Sequence, residues 1–159
     1  MGLSKDEAAA VRYYSGSGYH RINAVLRSGA RSSPAISRQV GLIDDALAGS
    51  RLSEDVVAYR GVSGAYAEAL RSGGVRLGLV LSEPAFVSTS RQVDVAELFA
   101  EMPPGGFVFR IRLPEGCAAL DIAPYSAYPG ESELLSPRDL AFVVTGYDAG
   151  RRVIEMELA

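Results

Sequence analysis

Apolar residues recur at helical spacing in the first third of the chain. In residues 19–28, Tyr19, Ile22 and Leu26 fall on one helical face, and Gly29 follows as a stop signal. The segment SGSG that precedes them is expected to separate two helices. The same reasoning predicts five helices in all, at residues 5–14, 19–28, 34–48, 63–71 and 93–100.

After residue 50 the apolar residues recur mainly at a spacing of two. The segment FVFRIRL alternates Phe107, Phe109 and Ile111 with Val108 and two arginines, as a half-buried strand does. Comparable stretches predict seven strands, at residues 55–61, 85–90, 107–113, 117–122, 131–136, 140–147 and 152–158. Because helices come first and strands later, without regular alternation, we predict an α+β domain with mostly antiparallel pairing rather than a Rossmann sheet.

Composition narrows the possible partners. The 159 residues fit one domain, and the hydrophobic fraction of 48% allows a sizeable core. A net charge of −3 without a basic stripe argues against nucleic acid as the main partner, although one or two arginines would suffice for a nucleotide ligand. The sequence contains no run of 18 apolar residues and no secretory signal, so no membrane partner is predicted.

The single histidine and single cysteine limit the available chemistry. His20 and Cys117 cannot assemble a zinc site of the usual kind, and one cysteine excludes an intrachain disulfide. A Ser-His-Asp triad would have to use His20, which we interpret as an ordinary surface or half-buried residue of a helix. No metal is therefore predicted.

Two polar motifs mark the edges of predicted strands. Arg60 follows the strand DVVAY, and its planar guanidinium suits a pyrophosphate, while Gly61 allows close approach of a ligand. In FVSTS, Ser88 and Ser90 point to one face of the strand and Thr89 to the other. These hydroxyls could fix a ribose or orient a carboxylate. Taken singly, each motif is better explained as an ordinary solvated strand edge.

A third motif is the pair Glu131 and Glu133, one residue apart after a Tyr-Pro-Gly turn. In an extended chain this spacing turns both carboxylates to one side. Paired carboxylates often divide a task, since one stabilises a cation-like transition state and the other handles the proton of the acceptor. The alternative is a solvated pair at a loop edge.

The ordered set of Arg, Ser-Thr-Ser and Glu-x-Glu resembles the mono-ADP-ribosyltransferases of the Arg-Ser-Glu class, which are bacterial toxins. The resemblance covers nearly the whole chain. The segments that carry it are YYSGSGYHRINAVLR (13–27), YRG (59–61), FVSTS (86–90) and the long segment 108–142. It implies a split, mostly antiparallel β-sandwich with N-terminal helices and with NAD in a central cleft.

The resemblance also implies catalytic roles. Glu133 would be the catalytic glutamate, bonding the nicotinamide-ribose hydroxyl, and Ser88 would orient it. Glu131 would address the acceptor, and family members with glutamate at this position usually modify arginine. Tyr128 would be the exposed aromatic of the substrate-recognition loop.

The remaining implied residues are those around NAD. Arg60, with Gly61 beside it, would hold the phosphates, and Thr89 and Ser90 would shape the serine strand. The other three implied NAD-binding residues are Asn23, Arg27 and Phe99. Relatives often carry an arginine a few residues after that aromatic, but here Glu101, Met102 and two prolines follow. The resemblance therefore does not imply a phosphate contact from the loop that follows Phe99.

The resulting expectation is one catalytic domain, 1–159, excised from a larger toxin or effector. It would transfer ADP-ribose from NAD to an arginine of a target protein, after secretion or delivery into the cytoplasm of a target cell. An immunity protein would be a further partner, and the domain is expected to be a monomer. The alternatives are an NAD glycohydrolase, a transferase for nucleic acid or another side chain, and a non-catalytic binding module.

Overall fold

The structure is a computed structural model, which describes residues 2–101 and 105–159. Its helices are α1 (Lys5–Tyr13), α2 (Tyr19–Ser28), α3 (Pro34–Ala48), α4 (Gly64–Gly73) and α5 (Val93–Ala100). Its strands are β1 (Val56–Val62), β2 (Val80–Glu83), β3 (Val87–Ser90), β4 (Phe107–Leu113), β5 (Leu120–Asp121), β6 (Glu133–Ser136), β7 (Leu140–Asp148) and β8 (Val153–Leu158). The predicted α+β class is confirmed.

The first two helices are joined by a π-helix, Tyr14–Gly18, so the predicted break at SGSG is wrong. Small residues allow this wide turn, and a side chain at Gly18 would collide with the ring of Tyr13, 2.4 Å from the position of a Cβ atom. The helical stretch starts where Ser4 caps α1 and ends at Gly29, whose φ of 67° suits glycine. Single π-helical turns within α-helices are frequent at functional sites.

The strands form one hydrogen-bonded sheet in the order β2-β7-β8-β4-β1-β3-β6-β5. All neighbouring strands are antiparallel except β4 and β8. Strand β1 pairs with β4 along its whole length but meets β3 only at Tyr59 and Ser90. The sheet therefore splits here into a five-strand section (β2-β7-β8-β4-β1) and a three-strand section (β3-β6-β5).

Two hydrophobic cores flank the three-strand section. Val87 and Leu134 face the first core, which also holds the inward side chains of the five-strand section. Phe86 and Leu135, their neighbours along the chain, face the second core with the N-terminal helices. Successive side chains therefore face opposite cores, as in a strand that is buried on both faces. This arrangement agrees with the predicted split, mostly antiparallel architecture.

Three strand predictions need correction. The predicted strand 117–122 is reduced to Leu120–Asp121, and strand β2 at Val80–Glu83 was not predicted. Glu131 lies in a 3-10 turn, Pro129–Glu131, and strand β6 begins only at Glu133. A short strand at a sheet edge, such as β2, has few residues in which to display alternation, which explains why it was missed.

Candidate active site

A cleft of about 830 Å³ opens where the two sheet sections diverge. It lies between α2, α5 and the ends of β1, β3 and β6. Ten of the eleven residues predicted for the site line it: Asn23, Arg27, Arg60, Gly61, Ser88, Thr89, Ser90, Tyr128, Glu131 and Glu133. The eleventh, Phe99, belongs to α5, but its side chain lies outside the described residues.

Two arginines of the cleft share one carboxylate. Nη2 of Arg27 donates to Oε1 of Glu83 at 2.6 Å, and Nη2 of Arg60 lies 3.8 Å from the same oxygen. Arg60 also donates from Nη1 to the carbonyl oxygen of Ser88 at 3.0 Å, which ties β1 to β3. Glu83 accepts a further hydrogen bond from the backbone N–H of Ala85. One carboxylate thus holds both cations beside the start of the serine strand.

The electrostatics of this cluster keep all three groups charged. Burial would raise the pKa of Glu83, but the hydrogen bonds and charge of Arg27, the N–H of Ala85 and the charge of Arg60 together lower it below its usual value. Burial lowers the pKa of Arg60, against the opposing charge of Glu83. A guanidinium remains protonated at neutral pH even so. The cleft therefore offers cations to an anionic ligand.

A chain of polar groups from the N-terminal helices reaches the serine motif. Nδ2 of Asn23 donates to the hydroxyl of Tyr14 at 2.9 Å, and that hydroxyl lies 3.3 Å from Oγ of Ser88. Tyr14 is fully buried, with its ring edge-on to Phe86. Burial raises the pKa of Tyr14, so its hydroxyl stays neutral and available for hydrogen bonding.

Glu133 begins strand β6 and is held by the ladder. It pairs in register with Ser90 of β3, and its carbonyl oxygen accepts from the N–H of Ile122. Burial raises the pKa of Glu133 to about 7, and the charge of Glu131 adds to this rise, while Ser88 and Arg60 oppose it. A carboxyl with such a raised pKa in a cleft is typical of a functional site.

The two glutamates reach the cleft by a route that differs from the predicted one. The chain between them is not extended, because Ser132 adopts a left-handed conformation with φ 49° and ψ 46°. The explanation from extended spacing is therefore wrong, although both side chains do line the cleft. The turn is anchored by Oγ of Ser90, which donates to the carbonyl oxygen of Glu131 at 2.6 Å.

Thr89 and Tyr128 occupy contrasting positions in the cleft. The hydroxyl of Thr89 is buried and donates to the carbonyl oxygen of Leu134, so it joins β3 to β6. Tyr128 is 58% exposed and stands immediately before the 3-10 turn that carries Glu131. One side chain thus braces the strands, and the other faces solvent.

Several residues of the cleft were missed by the sequence analysis. Tyr14, Tyr19 and His20 all line it, and the ring of His20 lies over that of Tyr19 with centroids 3.9 Å apart. His20 is an exposed helix residue, as interpreted from the sequence, but its position at the cleft was not predicted. The tyrosines lie within the segment YYSGSGYHRIN, which carried the resemblance, so a signal was present. Glu83 follows no recognisable motif.

Within residues 2–101 and 105–159, no cluster of three or more His, Cys, Asp or Glu side chains is arranged to bind a metal ion. No helix in these same ranges is both long and apolar enough to cross a membrane.

Comparison with known proteins assigns the family. Residues 1–156 match the family described as ADP-ribosyltransferase exoenzyme. The chain belongs to the ADP-ribosyltransferase exoenzyme family. NAD is the co-substrate of this family, and C3stau2 of S. aureus and exoenzyme S of Pseudomonas aeruginosa, which share the fold, were solved with NAD and carba-NAD, respectively.

The relatives of this exoenzyme chain are longer proteins. It is 35% identical over 97% of its length to Mav of Mycobacterium avium, whose name provisionally assigns it as an NAD(+)–arginine ADP-ribosyltransferase. It is 29% identical over 90% of its length to EFV of Enterococcus faecalis, named NAD(+)–arginine ADP-ribosyltransferase. The chain spans only 18% and 29% of the length of these two proteins, respectively.

The fold is similarly shared with solved toxins. Plx2a, an ADP-ribosyltransferase toxin from Paenibacillus larvae, superposes with a TM-score of 0.82 at 25% identity. The match covers 99% of this chain and 87% of Plx2a. The predicted membership among ADP-ribosylating toxins is thus confirmed, whereas the narrower Arg-Ser-Glu class stays a prediction.

Proposed function

We propose that this domain transfers ADP-ribose from NAD to an arginine side chain of a target protein and releases nicotinamide. The proposal rests on one observation. Glu133, whose pKa is raised, lines the same cleft as Arg60, Ser88 and a second carboxylate, Glu131. This set supplies a cation for phosphates, a fixed anion for a developing positive charge and a separate base.

The donor half of the cleft fits NAD. Arg60 and Arg27 present guanidinium groups that bind the pyrophosphate, and Gly61 leaves room for it. Asn23 contacts the ligand from α2. Because Glu83 already fixes both arginines, little side-chain freedom is lost when phosphate arrives.

Glu133 is the catalytic residue for bond cleavage. As the bond between nicotinamide and ribose breaks, positive charge develops on the ribose and nicotinamide leaves as a neutral molecule. An ionised carboxylate fixed beside this charge stabilises the transition state more than the ground state. The positively charged nicotinamide ring of bound NAD lowers the pKa of Glu133, so the carboxyl is ionised when the bond is cleaved. Ser88 orients the carboxylate.

Glu131 serves the acceptor. A protonated guanidinium is a poor nucleophile, so a carboxylate that orients it and takes its proton assists attack on the ribose. The new bond joins ribose to the guanidinium nitrogen, and the proton goes to Glu131. Arginine as the acceptor is supported by the names of the relatives from Mycobacterium avium and Enterococcus faecalis. Tyr128, exposed next to this carboxylate, contacts the target protein.

The biological setting follows from the toxin-like family. We propose that residues 1–159 are the catalytic domain of a larger secreted toxin or effector, which acts on a protein in the cytoplasm of a target cell. The greater length of both curated relatives supports this arrangement.

A direct assay tests the proposal. The protein is incubated with NAD, EDTA and either agmatine, which is a small guanidinium acceptor, or a cell lysate. We expect nicotinamide release, ADP-ribosyl-agmatine, and ADP-ribose on arginine side chains of lysate proteins by mass spectrometry. Release of nicotinamide with only free ADP-ribose would instead identify an NAD glycohydrolase. ADP-ribose confined to other acceptors would contradict the arginine assignment.

A further inference from the structure

The residue between the two glutamates has an unusual backbone conformation. Ser132 has φ 49°, in the left-handed region that favours glycine, and it is one of three such non-glycine residues in the described chain. A serine held in this region needs support from its surroundings. Its position between Glu131 and Glu133 makes the source of that support relevant to the site.

The support comes from Gln92, which follows the serine strand. Nε2 of Gln92 donates to Oγ of Ser132 at 2.7 Å and lies 3.5 Å from the carbonyl oxygen of Gly130. The backbone N–H of Gln92 donates to Oγ of Ser90, which in turn donates to the carbonyl oxygen of Glu131. Ser90 and Gln92 together thus contact each of the three consecutive residues 130–132 of the turn.

The two glutamates are therefore positioned by different means. Glu133 is fixed by the β3–β6 ladder, opposite Ser90. Glu131 precedes the strand, and its direction depends on the left-handed turn at Ser132. Gln92 does not line the cleft, so its side chain supports the turn from outside.

We propose that Gln92 is a positioning residue that sets Glu131 for the acceptor, acting through the hydroxyl of Ser132. This inference rests on the proposed function, since it assumes that Glu131 serves the acceptor. It assigns Gln92 no part in NAD binding or in cleavage of the nicotinamide bond.

The test compares transfer with hydrolysis in Gln92→Ala, Ser132→Ala and the double variant. Each receives NAD with agmatine to measure transfer, and NAD alone to measure cleavage by water. Because a small misplacement of a reacting group has large effects, kcat/KM for agmatine should fall about 10-fold in each single variant. NAD cleavage should stay within about twofold of the wild type, which also shows that the variants are folded. The double variant should lose no more transfer than either single one.

The matched control is Arg91→Ala, which truncates the neighbouring side chain and leaves the backbone N–H of residue 91 on the carbonyl oxygen of Ser132. It should transfer as the wild type does. Unchanged transfer in Gln92→Ala, an equal fall in cleavage, or additive losses in the double variant would each overturn the inference while leaving the proposed function intact. A wild-type protein that modifies neither agmatine nor arginine side chains of lysate proteins would overturn the proposed function, and this inference with it.

Discussion

The two ends of the cleft are built differently. At the proposed donor end, Arg60, Ser88 and Glu133 all lie on strands. Ser88 contacts the buried Tyr14, and Arg60 pairs with Glu83 and bonds to the backbone of Ser88. At the proposed acceptor end, Glu131 closes the 3-10 turn that precedes strand β6, and the largely exposed Tyr128 stands just before that turn. The donor end is a preformed polar network inside the fold, whereas the acceptor end is a surface turn.

This difference agrees with what each end has to do. Stabilising charge on a ribose requires a carboxylate that does not reorganise during the reaction, and strands with a bonded backbone supply that rigidity. Recognition of a protein acceptor instead uses exposed side chains on a loop, which can differ between relatives without disturbing the core. The same fold can thus retain one donor and exchange acceptors.

The largest expected effect is at the donor end. Glu133→Gln removes the anion that we propose to stabilise the ribose, and it should lower both NAD cleavage and arginine transfer by about 10²–10³. The measurement is nicotinamide release with and without agmatine. Glu155→Gln, which removes a solvent-exposed carboxylate paired with Arg110 on the sheet face, is the matched control and should retain both activities. Retention of both activities by Glu133→Gln would remove the basis for the whole site.

A smaller effect is expected for the cation of the donor end. If Arg60 binds the phosphates as proposed, Arg60→Ala loses charged hydrogen bonds to them and should weaken NAD binding by about 10- to 100-fold. Arg112→Ala is the control, because this guanidinium pairs with Asp55 on an exposed strand face. Calorimetry in the presence of EDTA measures both affinities. Equal affinities in the two variants would show that Arg60 does not contact NAD.

At the acceptor end, Tyr128→Ala should affect only transfer to protein. An exposed aromatic side chain of this kind anchors an interface, so modification of the target should fall by about 5- to 10-fold while NAD cleavage continues. The comparison uses labelled NAD with a lysate in parallel with an assay of nicotinamide release. A parallel loss of both activities would mean that Tyr128 supports the fold or the donor end.

The smallest expected effect concerns stability. Because the pKa of Glu133 rises to about 7 in the fold from an ordinary 4.5, the folded chain binds this proton more tightly than the unfolded chain does. The ionised carboxyl therefore destabilises the fold increasingly as pH rises from 4.5 towards 7. Glu133→Gln should raise the free energy of unfolding at pH 8 by about 1–3 kcal/mol and change it little at pH 4. Thermal unfolding at both pH values measures this change in stability. An equal change at pH 4 and pH 8 would contradict the raised pKa of Glu133 in the folded chain.

Arg60, Ser88 and Glu133 could be grouped in one cleft from the sequence because they lie in short contiguous motifs. Arg60 and Ser88 each belong to a segment with a clear apolar pattern, and strands β1 and β3 form in those segments, with β1 continuing past Arg60 to Val62. The contacts made by Tyr14 and Glu83 could not be predicted in this way. Tyr14 reaches Ser88 across 74 residues of sequence, and Glu83 reaches Arg27 across 56.

The acceptor end shows a different limit. The prediction that Glu131 and Glu133 share one side of an extended chain assumed regular strand geometry through Ser132. Serine carries no signal for the left-handed conformation that it adopts here, unlike glycine or asparagine. The support from Gln92 depends on pairing between distant segments, so local pattern could not reveal it.

The division between donor and acceptor ends is tested most directly by Glu131→Gln. The variant is assayed with NAD alone and with NAD plus agmatine, beside Glu133→Gln and the wild type. If Glu131 only orients and deprotonates the acceptor, Glu131→Gln should release nicotinamide at a rate close to that of the wild type, because water replaces the acceptor, and should form no ADP-ribosyl-agmatine. If Glu131→Gln loses nicotinamide release as completely as Glu133→Gln does, the two carboxylates act as one unit and the account is wrong.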